Sequence, residues 1–498
     1  MRDERFLVGL VLFHALAAVP GLALLYALGL LKLRPLALLA AAGPSVLLGI
    51  VLVGIPLITL MVVGVSVGLA AALAVTAVVT LVLVLVAAGT RERRPVPLVA
   101  TGPPGTLVEF VAERVVLGGT VLYLLVAAPT FRNLETLWDD ANIWSLKALG
   151  LYHQGTLVDG LSNNPALSGV HLDYPLLQPM TEATFFHVLG SIDLRFWHFE
   201  LWVLMALAIW TMAWLLAPLG PRWPWTVVLA TLALSGIVIA NIQLGDADVL
   251  MAALVGCATL SFGIWLHRGG LPYALLGGVL LAGAANVKNE GLVLGTAVGV
   301  ALVAAAAIGR RPGRWRDLAF AAGLVLISVL PWQIWVGGHE AATRNTPSPW
   351  QVIDDPSYLT DRLDNLWRGL GQVLVQLMNT GEWSLLVPAF LVCAVTMVVV
   401  GRERTVAAFY LVAGFLAYLS VAYVYWVTPI QDIGGFEQRS GARIVLGVVF
   451  VGGVGLAHLL QIAASAWTVP EPEVAPAQRP AATPVPSAVE AGGIRSAP

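Results

Sequence analysis

The chain has 498 residues, of which 58% are hydrophobic and 11% are charged, and its formal net charge is −2. A soluble domain carries about 25% charged residues, so this composition excludes a chain that covers its surface with polar side chains in water. No basic domain or stripe is long enough to bind the phosphates of a nucleic acid, so nucleic acid is not expected as a partner.

Apolar runs long enough to cross a bilayer recur along the chain. A membrane-spanning helix needs about 20 mostly apolar residues. The expected fold class is therefore an all-α polytopic membrane protein with about thirteen transmembrane helices, near residues 6–31, 36–57, 59–89, 111–130, 197–219, 224–242, 248–267, 271–287, 291–309, 317–337, 384–400, 405–427 and 441–464.

Arginines in the short loops predict the orientation. With the amino terminus outside, the basic clusters Arg91–Arg94 and Arg310–Arg316 both fall in the cytoplasm, as the positive-inside rule requires. Residues 466–498 are rich in proline and alanine, which predicts a disordered cytoplasmic tail. The opposite, extracytoplasmic face of the cell membrane then carries the outer loops 131–196, 338–382 and 428–440.

The first outer loop contains a pair of aspartates beside a helical pattern. Asp139 and Asp140 follow the fourth predicted span, and Asp140, Trp144 and Lys147 recur at helical spacing, which predicts a short helix lying on the membrane. A single aspartate here is explained as well by capping of that helix as by a functional role. A pair at the mouth of a membrane helix exceeds what capping requires, so both are candidate catalytic carboxylates.

Further polar motifs fall on the same predicted face. Residues 171–179 contain two prolines, which favour a rigid irregular loop over a helix. Asp246 is either the N-cap of the next span or a binding group, whereas Asp248 is expected to face the bundle. Charges at membrane depth are costly unless paired, so the lysine and glutamate of the 286–291 turn are expected to meet partners across the bundle. The candidates on these motifs are His171, Tyr174, Asp246, Asp248, Lys288, Glu290 and Arg439, with Arg443 one turn later.

These motifs resemble those of a known family. The outer aspartate pair, the following Lys147-Ala148 and the Tyr174-Pro175 loop look like the first periplasmic loop of GT-C glycosyltransferases, in the branch of protein O-mannosyltransferases and the bacterial lipid A aminoarabinose transferase. Residues 245–248 (Gly-Asp-Ala-Asp) are similar to a motif that opens a later span, and residues 288–291 resemble a recurring turn. The resemblance covers residues 109–465.

Two features lie outside that resemblance. Residues 1–95, an N-terminal transmembrane module of about three helices, have no counterpart in it. Asp139-Asp140 stands where many relatives have Asp-Glu, so which carboxylate is the base stays open.

The resemblance implies transfer of a sugar from a polyprenyl-phosphate donor to an acceptor hydroxyl of a lipid, glycan or protein, with inversion. Asp139 or Asp140 would be the general base, and Arg439, with Lys288 as a second candidate, would pair with the lipid phosphate. Some relatives use a divalent cation and others do not, so a metal at the carboxylates stays open. The remaining substrate-binding candidates are Lys147, His171, Tyr174, Asp246, Asp248 and Glu290.

Two other classes of protein remain as alternatives. A secondary transporter would bind a cation or proton at the outer carboxylates, but transporter sites usually lie midway through broken helices and not at helix ends. A non-catalytic, lipid-binding scaffold of the same fold would differ from an enzyme by as little as one carboxylate.

A topology reporter tests the predicted orientation. A reporter enzyme that works only outside the cytoplasm is fused after Asp140 or after Arg94. It is expected to be active at Asp140 and inactive at Arg94, because one predicted span separates the two positions. The reverse pattern of reporter activity would place the candidate carboxylates in the cytoplasm and contradict the assignment.

Overall fold

The computed structural model describes residues 2–89, 107–131, 143–156, 170–220, 223–309, 313–339, 355, 357–401, 403–427 and 441–467. All regular secondary structure in these ranges is helical. In chain order the helices are α1 (Arg2–Ala27), α2 (Pro35–Ala40), α3 (Ala42–Val62), α4 (Leu69–Gly89), α5 (Leu107–Phe131), α6 (Ser145–Gln154), α7 (Leu177–Leu189), α8 (Arg195–Leu216), α9 (Trp223–Ala233), α10 (Gly236–Leu244), α11 (Ala247–Arg268), α12 (Leu271–Val287), α13 (Asn289–Gly309), α14 (Arg314–Gly338), α15 (Ser357–Thr360), α16 (Leu363–Leu377), α17 (Thr380–Trp383), α18 (Leu386–Val400), α19 (Arg404–Val427) and α20 (Leu446–Trp467).

Many of these helices are long and apolar enough to cross a bilayer. Nine of those described meet the requirement singly, and two bent pairs bring the number to at most eleven. One pair is α9 with α10, bent by 46°, and the other joins the α16–α17 segment to α18 at 110°. Two shorter apolar helices lie within α5 and at α12. The chain is therefore an all-α, multi-pass membrane protein.

The bundle has a central helix and an apolar outer surface. Every residue of α11 from Ala247 to Leu266 is buried, and α11 packs against α8, α12 and α20. On α4 and α14, by contrast, side chains such as Leu81, Leu85 and Ile327 are 59%, 60% and 73% exposed. Soluble proteins rarely leave apolar faces of this extent in water, so these faces are suited to contact with hydrocarbon.

The first and third helices cross at glycines. A β-carbon at Gly21 would lie 1.8 Å from the Ser45 carbonyl oxygen, and one at Gly49 would lie 1.6 Å from the Ala17 carbonyl oxygen. Small residues of this kind let membrane helices approach backbone to backbone. The close crossing fixes α3, which also packs against α7, α8 and α12.

Two local predictions were wrong. The span predicted at 36–57 is split into α2 and α3, and a turn at Gly64, whose φ is +84°, ends α3 so that α4 begins only at Leu69. The loop predicted at 171–179 ends at residue 176, because α7 begins at Leu177 with Pro179 in its first turn. The amide that proline lacks is unpaired in a first turn in any case, so the helix tolerates it there.

The polar motifs and a group of arginines lie at opposite ends of the bundle. The 246–248 motif opens α11, whereas Arg268 ends that helix. At the Arg268 end, the Arg314 guanidinium donates to the Leu266 carbonyl. Further along α14, Trp332 reaches back to the 171–176 loop. The helices thus run between one end rich in carboxylates and another rich in arginine.

Substitution of Gly49 tests the α1–α3 crossing. Gly49→Ala is expected to lower stability by about 1–3 kcal/mol, because the added methyl group meets the Ala17 carbonyl and forces the two backbones apart. Gly299→Ala is the matched control, since no atom lies within 4 Å of its added β-carbon. Thermal unfolding of both variants in detergent is the measurement. Equal midpoints would contradict the close crossing.

Candidate functional site at the carboxylate-rich end

The 171–176 loop is held by a lysine from the preceding helix. His171 has a φ of +51°, a left-handed conformation that few side chains adopt. Its carbonyl oxygen accepts from Lys147 Nζ at 2.5 Å and from the Tyr174 amide at 2.9 Å. Lys147 is buried on α6, which packs against α7. The lysine therefore fixes the loop that carries Asp173 and Tyr174.

Three aromatic rings stack beside this lysine. The Tyr174 ring lies between Trp144 and His171, with centroid distances of 5.7 and 4.8 Å. Lys147 Nζ is 5.4 Å from the Trp144 centroid and 5.7 Å from that of Tyr174. Burial lowers the pKa of Lys147, and the nearby Asp173 opposes that shift. Burial also holds the pKa of Tyr174 well above its usual value, with a further contribution from Glu290.

Asp173 is anchored on two sides. Its backbone carbonyl accepts from Trp332 Nε1 at 3.1 Å, and its Oδ2 accepts from Asn289 Nδ2 at 2.8 Å. Burial raises the pKa of this carboxyl group above the ordinary aspartate range, whereas the positive charge of Lys147 lowers it. These contacts join the 171–176 loop to α14 and to the turn between α12 and α13.

A buried ion-pair network occupies the neighbouring helix ends. Lys288 Nζ donates to both oxygens of Asp248, at 3.0 and 3.1 Å, and lies 3.3 Å from Glu290 Oε1. On the other side, Arg443 lies 3.3 Å from an Asp246 oxygen and 3.4 Å from an Asp248 oxygen. The network links the starts of α11 and α13 to the segment that precedes α20.

The local sequence explains why these groups converge. Gly245 ends α10 in a left-handed conformation with φ +76°, which allows the chain to turn directly into α11. After α12, Gly291 packs so closely that a β-carbon would lie 2.0 Å from the Ala284 carbonyl. Lys288 and Glu290 are thereby held on a tight turn against the start of α11.

The structure brings together every predicted site residue that it describes. Lys288 meets a partner across the bundle and Asp248 faces inward, so both of these predictions are confirmed. Asp246 occupies the N-cap position, but its side chain makes no capping hydrogen bond and pairs with Arg443 instead. The residues that converge are Lys147, His171, Tyr174, Asp246, Asp248, Lys288 and Glu290; Asp139, Asp140 and Arg439 lie outside the described residues.

Four contributors were not predicted as site residues: Asp173, Asn289, Trp144 and Trp332. Arg443 was noted only for its position one turn after Arg439. Asp173 and Asn289 lie inside motifs that the sequence analysis identified. Their closeness in sequence to the predicted residues is the feature that could have indicated them. Trp332 lies inside a long apolar helix, where no local pattern distinguishes it from an interfacial tryptophan. Within the described ranges, no group of three or more histidine, cysteine, aspartate or glutamate side chains is arranged to hold a metal ion.

Substitution of Lys288 tests the ion-pair network. Lys288→Met is expected to lower stability by about 3–5 kcal/mol, because it leaves buried carboxylates without their shared cation. The double variant Lys288→Met/Asp248→Asn is expected to recover part of that loss. Lys32→Met, at an exposed position, is the control, and thermal unfolding in detergent is the measurement. Equal stability of the Lys288 and Lys32 variants would contradict a structural role for the pair.

Comparison with protein-family models, with curated proteins and with solved structures found no match to this chain. The assignment of the site therefore rests on the chain's own contacts: a strained loop, a ring stack and a buried ion-pair network that meet at one end of an apolar bundle.

Proposed function

We propose that the protein is a membrane glycosyltransferase. It moves a sugar from a polyprenyl-phosphate donor to an acceptor hydroxyl at the extracytoplasmic face of the cell membrane, with inversion. The observation that carries this proposal is the convergence of three motifs that are far apart in sequence: the 171–174 loop, the 246–248 helix start and the 288–290 turn. These are motifs that resemble those of GT-C glycosyltransferases.

An apolar cavity among the later helices supports a lipid-linked donor. A cavity of about 620 Å³ lies between α16, α18, α19 and α20, lined by apolar side chains such as Phe390, Phe415 and Val448. This volume lies within the range of about 300–1,000 Å³ that is typical of small-molecule sites. Phe415 is 58% exposed on the outer surface of the bundle, so an isoprenoid chain can reach the cavity from the membrane.

The segment that precedes α20, which takes part in the network, carries a cation. A β-carbon at Gly441 would lie 3.5 Å from both the Gln376 amide nitrogen and the Tyr425 hydroxyl, so this segment packs at the end of α16. Arg443 follows two residues later. A guanidinium group can pair with a phosphate through two parallel hydrogen bonds. Both Lys288 and Arg443 pair with carboxylates, but the Lys288 side chain is 5% exposed and the Arg443 side chain 24%. Arg443 therefore joins Arg439 as the preferred partner of the lipid phosphate.

The number of membrane-spanning helices is compatible with the proposal. Among the described residues, nine helices are long and apolar enough to cross a membrane, or up to eleven if each bent pair is one span. The outer loops would then hold the two candidate bases, Asp139 and Asp140. The phosphate is a good leaving group, so the protein needs only to accept the proton of the acceptor hydroxyl and to stabilise the departing charge.

Sugar transfer by the full-length protein in lipid vesicles tests the proposal. A panel of radiolabelled polyprenyl-phosphate sugars is supplied together with membrane extract as the source of acceptor. Asp139→Asn or Asp140→Asn is expected to lower transfer by about 10²- to 10⁴-fold, since a general base contributes about that factor. Asp193→Asn is the control, because Asp193 pairs with Arg195 outside the network.

Two results would contradict the proposal. If the wild type consumes no donor, or if neither candidate base affects turnover, the protein is not a glycosyltransferase of this kind. Ion-driven solute uptake by the same vesicles would then favour the transporter. Binding of polyprenyl phosphate without turnover would favour the scaffold.

A further inference from the structure

Asp173 is buried with one carboxylate oxygen unused. The residue is 6% exposed, and its Oδ2 accepts from Asn289. Its Oδ1 is buried and has no hydrogen-bond partner among the residues that the structure describes. Lys147, the cation that acts on Asp173, donates to the His171 carbonyl instead. A buried carboxylate oxygen without a donor is costly, so Asp173 is a candidate to receive a hydrogen bond from a ligand.

A second carboxylate in the same place has the same property. Glu290 Oε1 is in contact with Lys288 at 3.3 Å and with the Tyr174 hydroxyl at 3.5 Å. Glu290 Oε2 is buried and, within the described ranges, has no hydrogen-bond partner. Glu290 follows Asn289, the residue that binds Asp173, and the two carboxylates repel each other. Two adjacent acceptors without donors suit a ligand that presents more than one hydroxyl group.

A chain of contacts joins these carboxylates to the cation that is assigned to the donor phosphate. Arg443 binds Asp248, Asp248 binds Lys288, and Lys288 binds Glu290. Asp173 lies beyond Glu290, against Trp332 of α14. The donor phosphate is assigned to Arg443, and Asp248 and Lys288 stand between that cation and Glu290 in the chain of contacts. The unused oxygens are therefore left for the acceptor.

The loop that carries Asp173 is partly exposed. His171, Leu172 and Tyr174 are all partly exposed, whereas Asp173 between them is buried. The loop therefore reaches the surface on both sides of the buried carboxylate.

We propose that Asp173, together with Glu290, positions a polyhydroxylated acceptor, a sugar ring with neighbouring hydroxyl groups. This role rests on the proposed glycosyltransferase function. In the transfer, the acceptor oxygen bonds to the anomeric carbon as that carbon's bond to the phosphate oxygen breaks. The acceptor proton passes to the general base, and polyprenyl phosphate leaves. Asp173 orients the acceptor through a second hydroxyl and does not take the transferred proton.

The test uses the full chain in vesicles with a donor that the wild type consumes. Methyl pyranosides are the many-hydroxyl acceptor probes, and 2-propanol is the one-hydroxyl probe. Asp173→Asn preserves the size of the side chain and is expected to lower transfer to the pyranosides by about 10- to 100-fold, which corresponds to the loss of one charge-assisted hydrogen bond. Transfer to 2-propanol and hydrolysis of the donor by water are expected to change by less than about threefold. Asp193→Asn is the control for all three rates.

Each other outcome overturns the inference in a distinguishable way. An equal loss with all three acceptors would show that Asp173 is merely structural, and a lowered unfolding midpoint would accompany it. Unchanged transfer to the pyranosides would show that Asp173 does not touch the acceptor. Wild-type transfer only to non-sugar acceptors would refute the acceptor class. Failure of the wild type to consume any donor would refute the proposed function itself.

Discussion

The carboxylate of Asp248 lies between two cations, Lys288 and Arg443, at the start of a helix that is buried along its length. An unpaired charge in this position would be several kcal/mol less favourable than one in water, so each partner must be present for the others to be tolerated. The pairing joins the start of α11, the turn between α12 and α13, and the entry to α20. The arrangement of this end of the bundle depends on it.

The same constraint extends to the neighbouring loop. Lys147 donates a hydrogen bond to the carbonyl of His171, whose backbone is in a left-handed conformation. Trp332 donates to the carbonyl of Asp173, two residues later. Both hydrogen bonds satisfy polar groups inside an apolar bundle, where a donor or acceptor without a partner is costly. Within the described residues, one buried oxygen each of Asp173 and Glu290 has no donor. The two carboxylates are neighbours, since Asp173 binds Asn289 and Glu290 is the next residue.

The bundle contains both a polar network and an apolar cavity, a combination suited to a substrate with a charged head and a long hydrocarbon tail. The amphipathic helix α16 covers one side of the cavity through residues such as Leu374 and Leu377 and then meets α18 at a sharp bend. In the proposed transfer, the cavity would hold the hydrocarbon tail of the donor and Arg443 would pair with its phosphate.

The sequence by itself determined the all-helical class, the multi-pass character and the motifs that meet in the site, because hydrocarbon requires long apolar helices and tolerates charge only where it is paired. It did not determine where helices end at glycine turns, as at Gly64, or that Pro179 enters a helix, because both depend on local backbone geometry. Only the tertiary structure decided that Arg443 pairs with Asp248, and that Asp173 lies against Asn289 and Trp332. These partners are separated by more than 100 residues, and no local pattern encodes which helix ends will meet.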